Sequence, residues 1–126
     1  MRRRDLQAYV IGAAIAGTAL VLPYAGRALL RAMFGDVVAV SVPFFLLPIA
    51  WGFWNVLWVR LRPRVAPAAW GALLGVGAAL AANGWLALRG EWFPAVALLV
   101  LWTPTIYAFA WAFVVVPLNR ALGAEP

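Results

Sequence analysis

The sequence contains no cysteine, no histidine and no lysine, and only four of its 126 residues are acidic. Without cysteine and histidine, the chain offers no disulfides, thiolate chemistry, zinc sites or histidine-ligated haem. We therefore expect no cofactor and no metal. Ten arginines supply all of the positive charge. Together with abundant alanine, glycine and proline, this usage is typical of a GC-rich bacterium.

Charge is also absent from four long stretches. The uncharged runs cover residues 6–26, 37–59, 65–88 and 92–119. About 20 apolar residues in a helix cross a bilayer core, and a 67% hydrophobic composition is far above that of soluble domains. The sequence predicts an all-α, integral membrane four-helix bundle that forms a single domain over residues 1–126. The expected helices are 6–23, 37–60, 66–88 and 92–118, with the first retained because it is longer than a signal-peptide core.

The arginines predict the topology of this bundle. Seven of the ten lie at the N-terminus, in residues 60–64 and in the C-terminal tail, so both termini are expected in the cytoplasm, with short loops. Because the arginines flank apolar runs, we expect them to bind lipid head groups rather than nucleic acid, despite the net charge of +6. The expected head-group and topology residues are Arg2, Arg3, Arg4, Arg60, Arg62 and Arg64.

Small residues in the first and third helices predict close helix packing, because they let backbones approach each other in lipid. The candidate packing residues are Gly12, Gly17, Gly71, Gly75, Ala79 and Asn83. Residues 24–34 are compatible either with an interfacial helix or with a bent continuation of the first helix. Pro104 and Pro117 are expected to break the fourth helix.

Aromatic residues form a candidate ligand site. Trp51, Trp54 and Asn55 share one helix face, and distance from the flanking arginines puts aromatic residues of the fourth helix at a similar depth. The candidate ligand-binding residues are Trp51, Trp54, Asn55, Tyr107 and Trp111. They could cradle a quinone, a lipid head group or a cation, or they could fill the space beside proline kinks while Asn55 bridges two helices. We favour packing. Because buried indoles need acceptors, Trp102 is also expected to point inward.

The predicted spans contain no ionisable side chain, which disfavours proton-coupled transport and acid–base catalysis. Asp5, Asp36, Glu91 and Glu125 lie at span ends or in the tail, where capping or topology roles suit them. We expect a non-catalytic protein of the bacterial inner membrane. It would be an accessory or scaffold subunit, or a homo-oligomer, whose partners are lipids and other membrane subunits or itself. The alternative is a small carrier or flippase-like transporter of a lipid or other amphipathic molecule. A third hypothesis is a quinone-binding electron-transfer accessory.

Overall fold

The computed structural model describes residues 2–21, 28, 46–61 and 63–124. Within these ranges the chain is helical and contains no β-strand, which confirms the all-α class. The helices are α1 (Arg3–Ala19), α2 (Leu46–Leu61), α3 (Pro67–Leu88) and α4 (Pro94–Ala121). Apart from residue 28, the predicted interfacial segment 24–34 lies outside the described residues. So do residues 37–45 of the second predicted helix, and Asp36, Arg62 and Glu125.

Helix α1 begins three residues earlier than the apolar run suggested. Arg2 is the N-cap residue in extended conformation, and its backbone N–H donates to Asp5 Oδ2 at 2.8 Å. An acidic side chain at this position satisfies a backbone donor that the helix itself leaves unpaired. The charged residues before position 6 therefore form the first turn of the helix.

The connection between α3 and α4 is a tight turn. Helix α3 starts at Pro67, whose missing N–H costs nothing in a first turn. After Leu88 the chain reverses through Gly90, which has a positive φ of 68°, and this left-handed conformation carries little penalty only for glycine. The Glu91 N–H donates to the carbonyl of Leu86 at 2.9 Å, so the turn helps to close the end of α3.

Helix α4 continues through both of its internal prolines, so the predicted breaks are wrong. It contains a 3-10 segment (Pro94–Leu98), an α-helical segment (Leu99–Ala110), a π-helical segment (Trp111–Val115) and a final α-helical segment (Val116–Ala121). Pro117 directly follows the start of that last segment. A widened π-turn makes room for a proline ring and re-pairs the backbone around its missing N–H, which explains why the helix changes pitch instead of ending.

The helices pack in antiparallel pairs, α1 against α2 and α3 against α4. Glycines mark the closest approaches: a Cβ on Gly12 would lie 2.5 Å from the Trp51 carbonyl oxygen of α2. A Cβ on Gly75 would lie 2.5 Å from Pro104 Cα of α4. The start of α1, the end of α2 and Ala124 beyond α4 all border one cleft. The N-terminal and C-terminal described residues thus lie at the same end of the protein.

In the part of the chain that the structure describes, two helices are long and apolar enough to cross a membrane, α3 with 22 residues and α4 with 28. Helix α1 has 17 residues and the described part of α2 has 16. At a rise of about 1.5 Å per residue, each of these two helices is shorter than the thickness of a hydrocarbon core, about 30 Å.

Candidate functional site: a polar and aromatic helix junction with an arginine cleft

A pair of buried asparagines joins three helices. Asn55 of α2 and Asn119 of α4 are both fully buried. Asn55 Nδ2 donates to Asn119 Oδ1 at 2.9 Å, and Asn119 Nδ2 donates back to Asn55 Oδ1 at 2.7 Å. Asn55 Nδ2 also donates to the carbonyl of Ala8 in α1 at 2.8 Å. Both N–H donors of Asn55 are therefore used inside the protein.

The aromatic residues predicted as a ligand site fall into two groups. Trp51 of α2 contacts Tyr107 and Trp111 of α4, with ring centroids 4.7 and 5.2 Å apart. Trp51 and Trp111 are buried, so these rings form part of the junction between the two helix pairs.

Trp54 belongs to the second aromatic group, which links α2 to α3. Its ring stacks on Trp70 with centroids 4.6 Å apart, and its indole N–H donates to the Trp70 carbonyl at 3.1 Å. Trp58 approaches the same ring at 6.0 Å. The structure thus separates Trp54 from the cluster around Trp51, although the sequence placed them on one helix face.

Trp102 does not point inward as predicted: it is 63% exposed. Nine residues separate it from the buried Trp111, and nine steps of about 100° put two side chains on opposite sides of a helix. The prediction for Trp102 was based on its depth in the membrane, and depth does not determine which side of the helix a residue occupies.

Two buried indole donors have no acceptor in the part of the chain that the structure describes, namely Trp70 Nε1 and Trp111 Nε1. An unpaired buried donor costs about 1–3 kcal/mol. These two groups are the only unsatisfied side-chain atoms of that kind among the described residues, and both lie in the aromatic groups that the sequence singled out.

The predicted packing residues behave differently from one another. A Cβ on Gly71 would collide with the Tyr107 carbonyl oxygen, and Ala79 is buried. Asn83 donates to the carbonyls of Ala79 and Val96 and accepts the indole N–H of Trp92 at 2.9 Å. Gly17, in contrast, has no described atom within 4 Å of its Cβ position.

An open cleft of about 530 Å³ lies at the end where α1 begins and α2 ends. Arg60 binds Asp5 through two contacts, Nε to Oδ1 at 3.1 Å and Nη2 to Oδ2 at 2.7 Å. Of the predicted head-group residues, Arg3 and Arg64 are exposed and are not among the lining residues. The cleft is lined by Arg2, Arg4, Asp5, Val59, Arg60 and Ala124.

The electrostatics of this cleft centre on the Asp5–Arg60 ion pair. Hydrogen bonding by the Arg60 guanidinium, then by the Arg2 backbone N–H, lowers the pKa of Asp5 from 3.8 to about 2. The partnership likewise raises the pKa of Arg60. Asp5 is therefore ionised at neutral pH and holds the Arg60 guanidinium against the start of α1.

Comparisons with protein-family models, curated proteins and solved structures find no match to this chain.

Sequence reasoning missed the partners of two residues that it had named. Asn119 pairs with Asn55, and Arg60 pairs with Asp5. The distance of each asparagine from a flanking arginine could have suggested the Asn55–Asn119 pair. Asn55 lies five residues before Arg60, and Asn119 lies directly before Arg120. Both asparagines therefore lie near the same arginine-rich end. Because a helix can rotate about its axis, depth alone did not show which of these side chains would face each other.

Proposed function

We propose that this protein is a four-helix bundle of the bacterial inner membrane with both termini in the cytoplasm. It acts without catalysis as an accessory or scaffold subunit, or as a homo-oligomer, through helix packing. Lipids surround it, and other membrane subunits or further copies of the chain are its partners.

The exposure of the apolar helices carries the membrane part of this proposal. In the most apolar 18-residue windows of α3 and α4, only 22% of the residues are buried. The core helix of a soluble protein buries most of its apolar residues, whereas a membrane helix turns them towards lipid. Leu101, Ile106 and Phe113 are examples, each at least 59% exposed.

The pairing of polar groups supports a packing role over a chemical one. Among the described residues, Asp5 and Glu91 are the carboxylates, and each forms an ion pair with an arginine at a helix end. The Asn55 donors are used by Asn119 and Ala8. Interhelical polar bonds of this kind hold membrane helices together. Neither asparagine side chain of the Asn55–Asn119 pair is titratable.

The distribution of arginine supports the proposed orientation. Arg2, Arg4 and Arg60 border a single cleft. This cleft is at the end of the protein where the first and last described residues lie. An arginine-rich end faces the cytoplasm in bacterial membrane proteins. The opposite end carries Arg89, which is paired with Glu91.

The two unpaired indoles favour the alternative function, a carrier or flippase-like transporter of a lipid or other amphipathic molecule. Trp70 Nε1 and Trp111 Nε1 are buried donors without a described acceptor, and an ester or quinone oxygen would supply one. A bound amphipath would then lie beside the aromatic groups of α2, α3 and α4.

Native mass spectrometry combined with a lipid-translocation assay separates the two functions. As a scaffold, the gently solubilised protein should appear as a defined oligomer or with a stoichiometric partner, and proteoliposomes should move labelled lipid between leaflets no faster than empty liposomes. A partner-free monomer that accelerates lipid movement would contradict the scaffold and support the carrier. Trp111→Phe removes one unpaired indole donor, so it should slow translocation only if the carrier hypothesis holds.

A further inference from the structure

The cleft at the arginine-rich end combines three cations with one anion. Arg2 and Arg4 are exposed residues at the start of α1, and Arg60 is at the end of α2. Asp5 is the only acidic lining residue, and its side chain is 5% exposed and already bound to Arg60. The cleft therefore keeps an excess of positive charge after its internal ion pair is counted.

Arg60 is held in a position from which it can bind a second anion. Its two contacts to Asp5 use two of the five N–H donors that a guanidinium carries. Its side chain remains 56% exposed. Asp5 thus acts as a positioning residue, because it reduces the conformational freedom that Arg60 would otherwise lose on binding an anion.

The surroundings of the cleft favour an anion attached to acyl chains. Leu6, Leu61 and Leu122 lie within two positions of a lining residue in sequence, and each is more than half exposed. Val59 and Ala124 are the apolar lining residues of the cleft. A free phosphate gains nothing from these side chains, whereas a phospholipid can place its phosphate among the arginines and its chains along them. The cleft volume of about 530 Å³ is within the range of small-molecule sites.

We propose that the cleft lined by Arg2, Arg4 and Arg60 is a specific binding site for the phosphate group of an anionic phospholipid, with Asp5 orienting Arg60. This inference rests on the membrane location proposed above. It goes beyond that proposal because it assigns one lipid to one site, rather than a general attraction of all arginines to the bilayer surface.

The test uses the full-length protein in mild detergent, titrated with phosphatidylglycerol or phosphatidylcholine and followed by native mass spectrometry. We expect one phosphatidylglycerol per chain in preference to phosphatidylcholine. The double variant Arg2→Gln/Arg4→Gln leaves the Asp5–Arg60 pair intact and should bind phosphatidylglycerol about tenfold or more weakly, since it removes two charge-assisted contacts. Circular dichroism must show unchanged helicity in this variant.

The matched control is Arg3→Gln/Arg120→Gln. It removes the same charge from exposed arginines at the same end that do not line the cleft. We expect its affinity to stay within about twofold of the parent protein, because exposed charges away from the cleft are largely screened at physiological salt. Equal weakening by both double variants would show a general charge effect and overturn the site.

Soluble anions identify the ligand class. Inorganic phosphate and glycerol 3-phosphate at millimolar concentration should not displace phosphatidylglycerol. Displacement by either one would assign the cleft to a soluble phosphate and overturn the lipid proposal. Failure of the protein to remain in alkali-washed membranes would instead reject the proposed membrane function, so the two failures are distinguishable.

Discussion

At the scale of single residues, the two described carboxylates, Asp5 and Glu91, each form an ion pair with an arginine. Asp5 serves both as a cap for α1 and as the partner of Arg60 in α2. One carboxylate therefore ties the start of one helix to the end of its neighbour. The sequence located Asp5 at the boundary of the first apolar run and suggested a capping or topology role. Its ion pair with a residue 55 positions away depended on how the chain folds back.

The stability of the protein should fall in acid because of Asp5. Its pKa is about 2 in the folded protein, against an ordinary value of 3.8. Folding therefore favours the ionised carboxylate, and the resulting stabilisation is full above about pH 5 and lost progressively as pH falls towards 2. Thermal unfolding of detergent-solubilised protein, followed by circular dichroism between pH 2 and pH 6, measures this decline.

Asp5→Asn should flatten the pH dependence of that unfolding, since the variant has no carboxylate at position 5 to protonate. Glu91→Gln is the control, because it removes a carboxylate from the exposed ion pair with Arg89 at the other end. We expect it to retain the acid-dependent loss of stability. Superimposable pH profiles for the parent protein and Asp5→Asn would contradict the role assigned to Asp5.

At the scale of helices, two glycines in the same helix have opposite environments. Gly75 contacts the backbone of α4 at Pro104, whereas Gly77 has open space around its Cβ position. The pattern of glycines at positions 71 and 75 predicted close packing, and a Cβ added at either position would meet atoms of α4. The identity of the packed neighbour, α4, could not be read from the spacing.

Gly75→Ala should destabilise the protein by about 1–3 kcal/mol, the typical cost of overpacking a close contact. Gly77→Ala should be neutral or stabilising by up to about 1 kcal/mol, because alanine is the better helix former. Equilibrium unfolding in mixed detergent and dodecyl sulfate micelles gives both free energies. Similar effects of the two variants would mean that α3 does not contact α4 through Gly75.

At the scale of the whole molecule, polar and aromatic contacts join the two described helix pairs. The Asn55–Asn119 pair connects α2 to α4, the carbonyl of Ala8 brings in α1, and Trp51 packs on Trp111. The outer faces of α3 and α4 expose large apolar side chains. This arrangement puts the polar contacts inside and the apolar surface outside, as a lipid environment requires.

Single-cysteine labelling tests the proposed topology, and the natural chain provides a cysteine-free background. Ala66→Cys and Ala121→Cys introduce exposed thiols at the arginine-rich end, and Leu88→Cys introduces one at the opposite end. In spheroplasts, a membrane-impermeant maleimide should label only Leu88→Cys, and the other two variants should react after lysis. Labelling of both ends in intact spheroplasts would contradict the proposed orientation.

Composition and the order of charges were enough to predict an all-helical chain and the approximate positions of α3 and α4. These features depend on local properties, namely apolar run length, the arginines that bound it and a first-turn proline. The lack of cysteine and histidine likewise excludes disulfides, thiolate chemistry, zinc sites and histidine-ligated haem within this sequence, whatever its fold.

Only the tertiary structure decided which side chains meet. The rotation of each helix about its axis placed Trp102 outside and Trp111 inside, and it brought Asn119 to Asn55. The π-turn at Trp111–Val115 carried α4 through Pro117. The pairing of Asp5 with Arg60 required α1 and α2 to lie antiparallel. The rotations of the helices and the Asp5–Arg60 pairing depend on contacts between segments distant in sequence, and such contacts leave no periodic signal within either segment.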